Sequence, residues 1–261
     1  MDYLTVCLTA LAASALTLFS GFGLGTLLMP AFALFFPLPM AIAATAVVHL
    51  ANNLFKLALI GRSASGAVVL RFGLPAALAA LAGAAVLVSF ASLEPIAEYA
   101  LFGRQFAVTP IKLTIGLLIV AFAMLELSRS FAALAIPARY LPLGGLLSGF
   151  FGGLSGNQGA FRAAFLIKAG LDKKAFVATS VVCAVIVDTV RLGVYGITYF
   201  TARLEALPQG VGGLVLAATL AAFLGAFIGV RLLDKVTLRA VQLTVAVCMV
   251  GVGCALVAGW V

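Results

Sequence analysis

Charged residues are scarce in this sequence. Asp, Glu, Lys and Arg together make up 9% of the 261 residues, whereas hydrophobic residues make up 64%. A soluble domain carries about 25% charged residues, because its surface faces water. A surface that faces lipid needs none. The composition therefore excludes an ordinary soluble domain and predicts a protein whose main partner is a lipid bilayer.

Residues that build metal and catalytic sites are also few. The chain has one histidine and four cysteines, and the cysteines lie inside apolar segments without paired ligand spacing. We find no His/Asp/Glu cluster for a metal and no nucleophile–base pair. We therefore expect no metal and no cofactor, and the sequence argues against an enzyme.

Acidic residues are outnumbered by basic ones, eight to sixteen, which gives a formal net charge of +8. The basic residues collect in short connections between apolar segments, as in membrane proteins. No nucleic-acid partner is therefore predicted. Asp2 is the one charge before the first apolar segment, so the basic start of a cleaved signal peptide is missing.

Long apolar runs fill the rest of the chain. A helix needs about 20 apolar residues to cross a bilayer. The runs do not alternate in polarity as barrel strands do, so we predict an all-α membrane protein. The predicted segments are residues 3–35, 39–60, 73–91, 108–127, 141–167, 175–200, 207–230 and 238–260.

The second half of the chain resembles the first. Aligning Ala44–Val48 with Ala178–Val182 also places Gly25 on Gly159. A glycine-rich break precedes each matched stretch, at residues 20–26 and 152–159. This predicts an inverted repeat of two four-segment halves, residues 1–133 and 134–261, each with one glycine-broken membrane segment. The alternative is that the glycines only allow close helix packing.

Basic residues in the connections favour the broken-segment arrangement. If every segment crosses once, the two sides hold five and six basic residues. If segments one and five are hairpins that return to the side they entered, the counts become nine and two. The positive-inside rule favours the second arrangement, which puts both termini outside the cytoplasm.

Polar residues recur inside segments two and six, where they are costly in lipid. Thr45, His49 and Asn53 share a helical face in segment two. Segment six carries Thr179, Asp188 and Arg191. One interpretation is a polar pathway in which Asp188 and Arg191 act in coupling or gating. The alternative is structural: an Asp188–Arg191 pair within one helix, and a histidine that makes an interhelical hydrogen bond.

Arg162 follows the second break by one turn, at the start of a predicted half-helix. A helix N-terminus presents free N–H groups and partial positive charge, which together bind anions. An arginine adds forked donors that suit carboxylate, sulfite or sulfonate oxygens. The alternative is a structural arginine on backbone carbonyls. The predicted anion site contains Gly25, Thr26, Thr45, His49, Asn53, Asn157, Gln158, Gly159, Arg162 and Thr179.

The twin glycine-rich stretches Gly21–Pro30 and Gly149–Gly159, each followed by Ala-Thr-x-Val-Val, resemble the TauE/SafE sulfite exporter family over essentially the whole chain. The resemblance implies a permease of the bacterial inner membrane for sulfite, sulfoacetate or related organosulfonates. The polar stretch Ser155–Arg162 departs from the family's proline-bearing repeat, so the exact substrate stays open. The rival functions are an anion channel, a permease for another small organic anion, a membrane-embedded enzyme and a non-transporting scaffold. Coupling to protons or sodium and a homodimer are further expectations.

Topology is directly testable. We expect tags at both termini to be extracytoplasmic, and cysteines introduced near Arg62, Arg139, Lys173 and Lys235 to be labelled from the cytoplasm, because these connections carry the excess of basic residues. The measurement is labelling of intact cells with an impermeant thiol reagent. A cytoplasmic Lys173 together with an extracytoplasmic Arg139 would rule out the arrangement.

Overall fold

The computed structural model describes residues 2–17, 24–134, 136–197, 211–232 and 238–260. The helices are α1 (Asp2–Thr17), α2 (Leu24–Ala33), α3 (Leu38–Ile60), α4 (Gly66–Val68), α5 (Leu74–Ala91), α6 (Pro110–Leu127), α7 (Arg129–Ala132), α8 (Leu141–Ser155), α9 (Gly159–Leu166), α10 (Lys173–Tyr195), α11 (Val211–Leu232) and α12 (Leu238–Val257). The strands are β1 (Ala97–Leu101) and β2 (Arg104–Val108). Residues 18–23, which include positions 20–23 of the first glycine-rich break, lie outside the described residues, as do Arg203 and Lys235.

Long apolar helices dominate the described chain, as the composition predicted. Four stretches are long and apolar enough to cross a bilayer: Leu38–Ala58, Gly66–Ala91, Lys173–Tyr195 and Val211–Ile228. Shorter apolar helices cover Tyr3–Ala15, Pro110–Leu125 and Ala246–Val257. The protein is therefore a multi-pass helical membrane protein.

Two predicted segments begin earlier than expected. The third starts at Gly66 instead of residue 73, because a π-helical turn, Val69–Gly73, joins α4 to α5 without a break. Pro75 stands at the start of α5, where its missing N–H is accommodated by the wider turn before it. The sixth starts at Lys173, because the Asp172 side chain caps α10 by accepting from the N–H of Ala175.

A β-hairpin occupies the connection between the predicted segments 73–91 and 108–127. β1 and β2 pair antiparallel around Phe102 and Gly103, whose φ angles are +49° and +75°. Two positive φ values in a two-residue turn match the right-handed twist of a hairpin. The Tyr99 hydroxyl donates to the carbonyl of Ala258, which attaches the hairpin to the residues after α12. The Lys112 ammonium, on α6, donates to the carbonyls of Ala107 and Gly259 and so bridges the same two parts.

The helices α3 and α10 cross each other in the interior. Of their spans, 56% and 50% are buried, against 28% in each of the spans 66–91 and 211–228. Around this crossing α5 packs on α8 and on α10, while α11 packs on α1 and on α3. A further contact joins α6 to α12. The α3–α10 crossing is therefore the place where side chains from both halves meet away from lipid.

Glycines set the distance between the outer helix pairs. Cβ atoms added to Gly145, Gly149 and Gly153 on α8 would run into the backbone of Phe72, Ala76 and Ala80. The α1–α11 contact depends likewise on Gly225, which faces the Leu11 backbone. Small residues let helix backbones approach closely, which increases dispersion contacts where lipid supplies no hydrophobic driving force.

This packing predicts an effect of a single methyl group. Gly149→Ala should destabilise the protein by about 1–3 kcal/mol, because the added Cβ overlaps the Ala76 backbone and α8 must move away. Melting in detergent, followed by tryptophan fluorescence or by aggregation, measures the change.

The matched control is Gly251→Ala on α12, where a Cβ meets nothing within 4 Å. This change should leave the melting temperature unchanged or raise it, since alanine favours helix. Equal effects of the two substitutions would contradict the packing argument.

Candidate anion site

The carboxylate of Asp188 lies at the α3–α10 crossing and is fully buried. Two residues one turn apart on α3 reach it: His49 through Nδ1 at 2.6 Å from Oδ2, and Asn53 through Nδ2 at 3.2 Å from the same oxygen. His49 and Asn53 share a face because they are four residues apart. The crossing thus joins a histidine of the first half to an acid of the second.

The other carboxylate oxygen, Oδ1, receives donors from the second half. Arg191 places Nε at 3.0 Å and Nη2 at 2.9 Å from it. The side-chain amide of Gln158 donates to the same oxygen at 3.4 Å. Donors therefore surround both oxygens, an arrangement that suits an ionised carboxylate, which can only accept. The Asp188–Arg191 pair of the structural interpretation is present, but it is part of a larger network.

A break between α8 and α9 brings Gln158 to this network. α8 ends at Ser155, and Gly156 adopts φ +82° while its N–H donates to the carbonyl of Gly152. A side chain here would meet strain and would also lie 2.7 Å from Arg191 Nη1. The Ser148 hydroxyl holds the far side of the turn by donating to the carbonyl of Gln158 at 2.9 Å.

Arg162 lies one turn into α9 and is 5% exposed. Its Nη1 donates to Oε1 of Gln158 at 2.9 Å. The amide of Gln158 therefore connects two charged groups, with its oxygen toward Arg162 and its nitrogen toward Asp188. The first backbone hydrogen bond of α9 runs from the N–H of Arg162 to the carbonyl of Gln158. The N–H groups of residues 159–161 come before this bond and therefore have no acceptor within the helix.

Several buried polar atoms near the break and on α3 have no hydrogen-bond partner among the described residues. They are both side-chain amide atoms of Asn157, the hydroxyl of Thr45 and the amide nitrogen of Asn52. Buried polar groups are nearly always paired, because leaving one unpaired costs about 1–3 kcal/mol. Asn157 is 7% exposed and stands two residues before α9. A bound group that accepts from the amide nitrogen of Asn157, or donates to its amide oxygen, would supply a missing partner.

The other predicted site residues divide into two groups. Gly25 lies beside Thr45 and His49: a Cβ on Gly25 would be 3.9 Å from Thr45 Cγ2 and from His49 Cδ2. Thr179 lies apart from the network, because its hydroxyl accepts from the backbone N–H of Ser65. Thr26 falls in α2, but its side chain is outside the described residues.

Positive charge exceeds negative charge around the site. In α2, α3, α8, α9 and α10, Asp188 is the one acidic residue of the sequence. Lys56, Arg162 and Arg191 oppose it, besides two lysines at the exposed start of α10. Charges inside a membrane protein usually face a partner or a cavity. This excess makes the region suited to an anion.

Comparison with known protein families identifies the family of this chain. Residues 6–256 match the family described as "Sulfite exporter TauE/SafE". The chain belongs to the TauE/SafE family. Comparison with curated proteins and with solved structures gives no match. The match covers nearly the whole chain, so it includes both glycine-rich stretches and the α3–α10 crossing of this TauE/SafE protein.

Sequence reasoning missed some contacts of the TauE/SafE chain. The tyrosine at 195 is buried and donates to the carbonyl of Gly153 at 2.5 Å, which ties the end of α10 to α8. Asn52 accepts from the hydroxyl of Ser14 at 3.5 Å. Asn52 lies next to Asn53 in the polar stretch of segment two, but its partner on α1 is 38 residues away. Within the described residues, no group of three metal-binding side chains occurs.

The buried pair predicts a rescue. Asp188→Leu should destabilise the protein by about 3–5 kcal/mol, since Arg191 then stays buried without its partner. Adding Arg191→Leu should recover part of the loss, because an apolar pair needs no counter-charge. Melting temperatures in detergent provide the comparison.

Thr189→Leu, on the exposed face of the same helix, is the control and should have little effect. A double variant that is as unstable as the sum of its two single variants would show that Asp188 and Arg191 do not stabilise each other.

Proposed function

We propose that this TauE/SafE protein is a transporter, and most specifically an exporter, of small sulfur-containing anions such as sulfite or organosulfonates. The observation that carries the proposal is Asn157: a buried amide without a described partner, two residues before the half-helix that bears Arg162. An oxyanion bound there accepts from the Asn157 amide and from the N–H groups that begin α9.

Arg162 supplies charge and direction to the proposed site. A guanidinium presents several N–H donors in one plane, which match two oxygens of a sulfite or sulfonate group. Gly25, Thr45 and His49 then form the opposite wall, with Thr45 contributing a hydroxyl.

Matched helix contacts support the inverted repeat. Under the alignment of Gly25 with Gly159, α1, α3, α5 and α6 correspond to α8, α10, α11 and α12. The contact of α5 with α8 then corresponds to that of α11 with α1, and the contact of α3 with α11 to that of α10 with α5. The α3–α10 and α6–α12 contacts map onto themselves. A two-fold relation between the halves produces this pattern.

Alternating access follows from such an arrangement. The two glycine-broken segments are proposed to meet near the bilayer midplane and to hold the anion at their half-helix ends. Movement of one bundle against the other then opens the site to either side. The location is the inner membrane, with both termini extracytoplasmic, no cofactor and no catalytic reaction. Asp188 and Arg191 are proposed to act in coupling or gating.

A ligand screen and a flux assay test the function. Sulfite, thiosulfate, sulfoacetate and taurine are added to purified protein, and a bound anion raises the melting temperature by mass action. The same anions are then followed in proteoliposomes. Saturable flux supports a transporter, whereas non-saturating flux through a continuous pore would indicate an anion channel. No stabilisation by any of these anions, together with no flux, would refute the proposal.

Arg162 provides the sharpest test of the site. Arg162→Ala should weaken anion binding roughly ten- to a hundredfold, because a charge-assisted hydrogen bond contributes about 1.5–3 kcal/mol. Arg162→Lys should bind more weakly than the wild type, since it keeps the charge but loses the planar fork. Titration of the thermal shift against anion concentration measures both affinities.

The control is Arg139→Ala, which removes the same charge from an exposed position beside Tyr140. It should leave affinity unchanged. If folded Arg162→Ala protein binds its anion as the wild type does, then Arg162 is a structural residue and the proposed site is wrong.

A further inference from the structure

His49 is the one side chain in the Asp188 network that combines partial exposure with an imidazole ring. Its side chain is 16% exposed, whereas that of Asp188 is 0% exposed. Histidine is the residue type whose ordinary titration falls near neutrality. The imidazole is therefore partly accessible from outside the packed interior, whereas the carboxylate to which it is bonded is not.

The geometry allows His49 to gain a proton without losing its contact. In the neutral ring Nδ1 carries the hydrogen and donates to Asp188 Oδ2 over 2.6 Å. A proton from water then bonds to the lone pair of Nε2, and the ring becomes an imidazolium while the Nδ1–H bond stays in place. Asp188 itself is a poor proton carrier, because donors from four side chains already surround its oxygens.

Other charged groups determine what this proton does. Among the charged and titratable side chains, Asp188 contacts His49 directly. α10 also carries Lys173, Lys174, Cys183, Arg191 and Tyr195, α9 carries Arg162, and Lys56 and Arg62 lie on and after α3 itself. α2 has none, and the described side chains of α11 have none. Three hydrogen bonds connect His49 to Arg162 through Asp188 and Gln158. An added positive charge at one end therefore acts on an anion at the other.

We propose that His49 binds a transported proton together with the anion, so that the two cross the membrane in the same direction. The proposal rests on the anion site described above. Protonation of His49 adds one positive charge near that site and tightens anion binding. By thermodynamic reciprocity, the bound anion favours the protonated ring to the same extent.

The binding experiment uses thiosulfate and sulfoacetate, whose charges are constant near neutral pH. Affinity of the wild-type protein should rise about tenfold from about pH 8 to about pH 6, within the range usual for coupled sites. Calorimetry in two buffers of different ionisation enthalpy should show proton uptake on binding. In His49→Asn, which keeps a donor where Nδ1 stood, both the pH dependence and the uptake should disappear. Arg139→Ala should keep both.

A spectroscopic measurement follows the proton itself. Because His49 is the only histidine in the chain, its labelled ring gives one nuclear magnetic resonance signal, provided the purification tag has no histidine. That signal should move toward its protonated form when thiosulfate binds. In proteoliposomes with an outward thiosulfate gradient, the medium outside should become more acidic, and His49→Asn should abolish this change.

The outcomes separate the two proposals. Arg162-dependent binding that is independent of pH would overturn proton coupling and leave the anion site intact. Alkalinisation outside the vesicles would also overturn it, since it indicates exchange in opposite directions. Absence of wild-type binding would refute the anion site and, with it, this inference. If His49→Asn fails to fold, His49→Gln and the wild-type ring signal decide the question.

Discussion

The buried carboxylate of Asp188 is the constraint around which the interior is arranged. A charge in the membrane interior is costly unless donors replace the water it has lost. Here donors come from α3, α10 and the α8–α9 turn, so the carboxylate joins both halves of the chain at one point. Moving any of these elements away would leave the charge unsatisfied. The α3–α10 crossing is therefore held by electrostatics as well as by packing.

Polar residues of the network are distributed unequally between the two halves of the chain. Under the repeat alignment, Arg162 corresponds to Leu28 and Asp188 to Leu54. Glycines of the second half bring helices of the two halves together, as Gly149 does against Ala76 and Gly225 does against Leu11. Most polar side chains of the Asp188 network therefore come from the second half, and the first half contributes His49 and Asn53.

Gly156 contributes both to the Asp188–Arg191 ion pair and to the proposed anion site. Its left-handed conformation ends α8, and the absence of a side chain leaves room for the Arg191 guanidinium. The same turn leads into α9, which begins three residues later and whose first N–H groups have no acceptor within the helix. The local turn therefore holds the structural ion pair on one side and opens the proposed anion site on the other.

Composition and periodicity were sufficient for the class of fold. Apolar runs of about 20 residues have few stable alternatives to membrane helices, since unpaired backbone groups are too costly in lipid. The spans of α3, α10 and α11 were predicted within a few residues, and the family resemblance is confirmed. The start at Gly66 and the hairpin of β1 and β2 were missed, because a π-helical turn and a short exposed strand pair leave weak local patterns.

The individual site residues were also visible in the sequence, since a charge or amide in an apolar run stands out wherever it lies. Their partners were not visible. Asp188 could be paired with Arg191 from its spacing of three residues, but its contacts with His49 and Asn53 join positions 139 and 135 residues apart. Thr179 looked equivalent to Thr45, yet it bonds to the backbone of Ser65 while Thr45 has no described partner. The sequence determined which residues need partners, because a polar side chain in an apolar segment is costly to bury without one. The tertiary structure decided which partners they have, because the packing of α3 against α10 brings residues together that are far apart in the sequence.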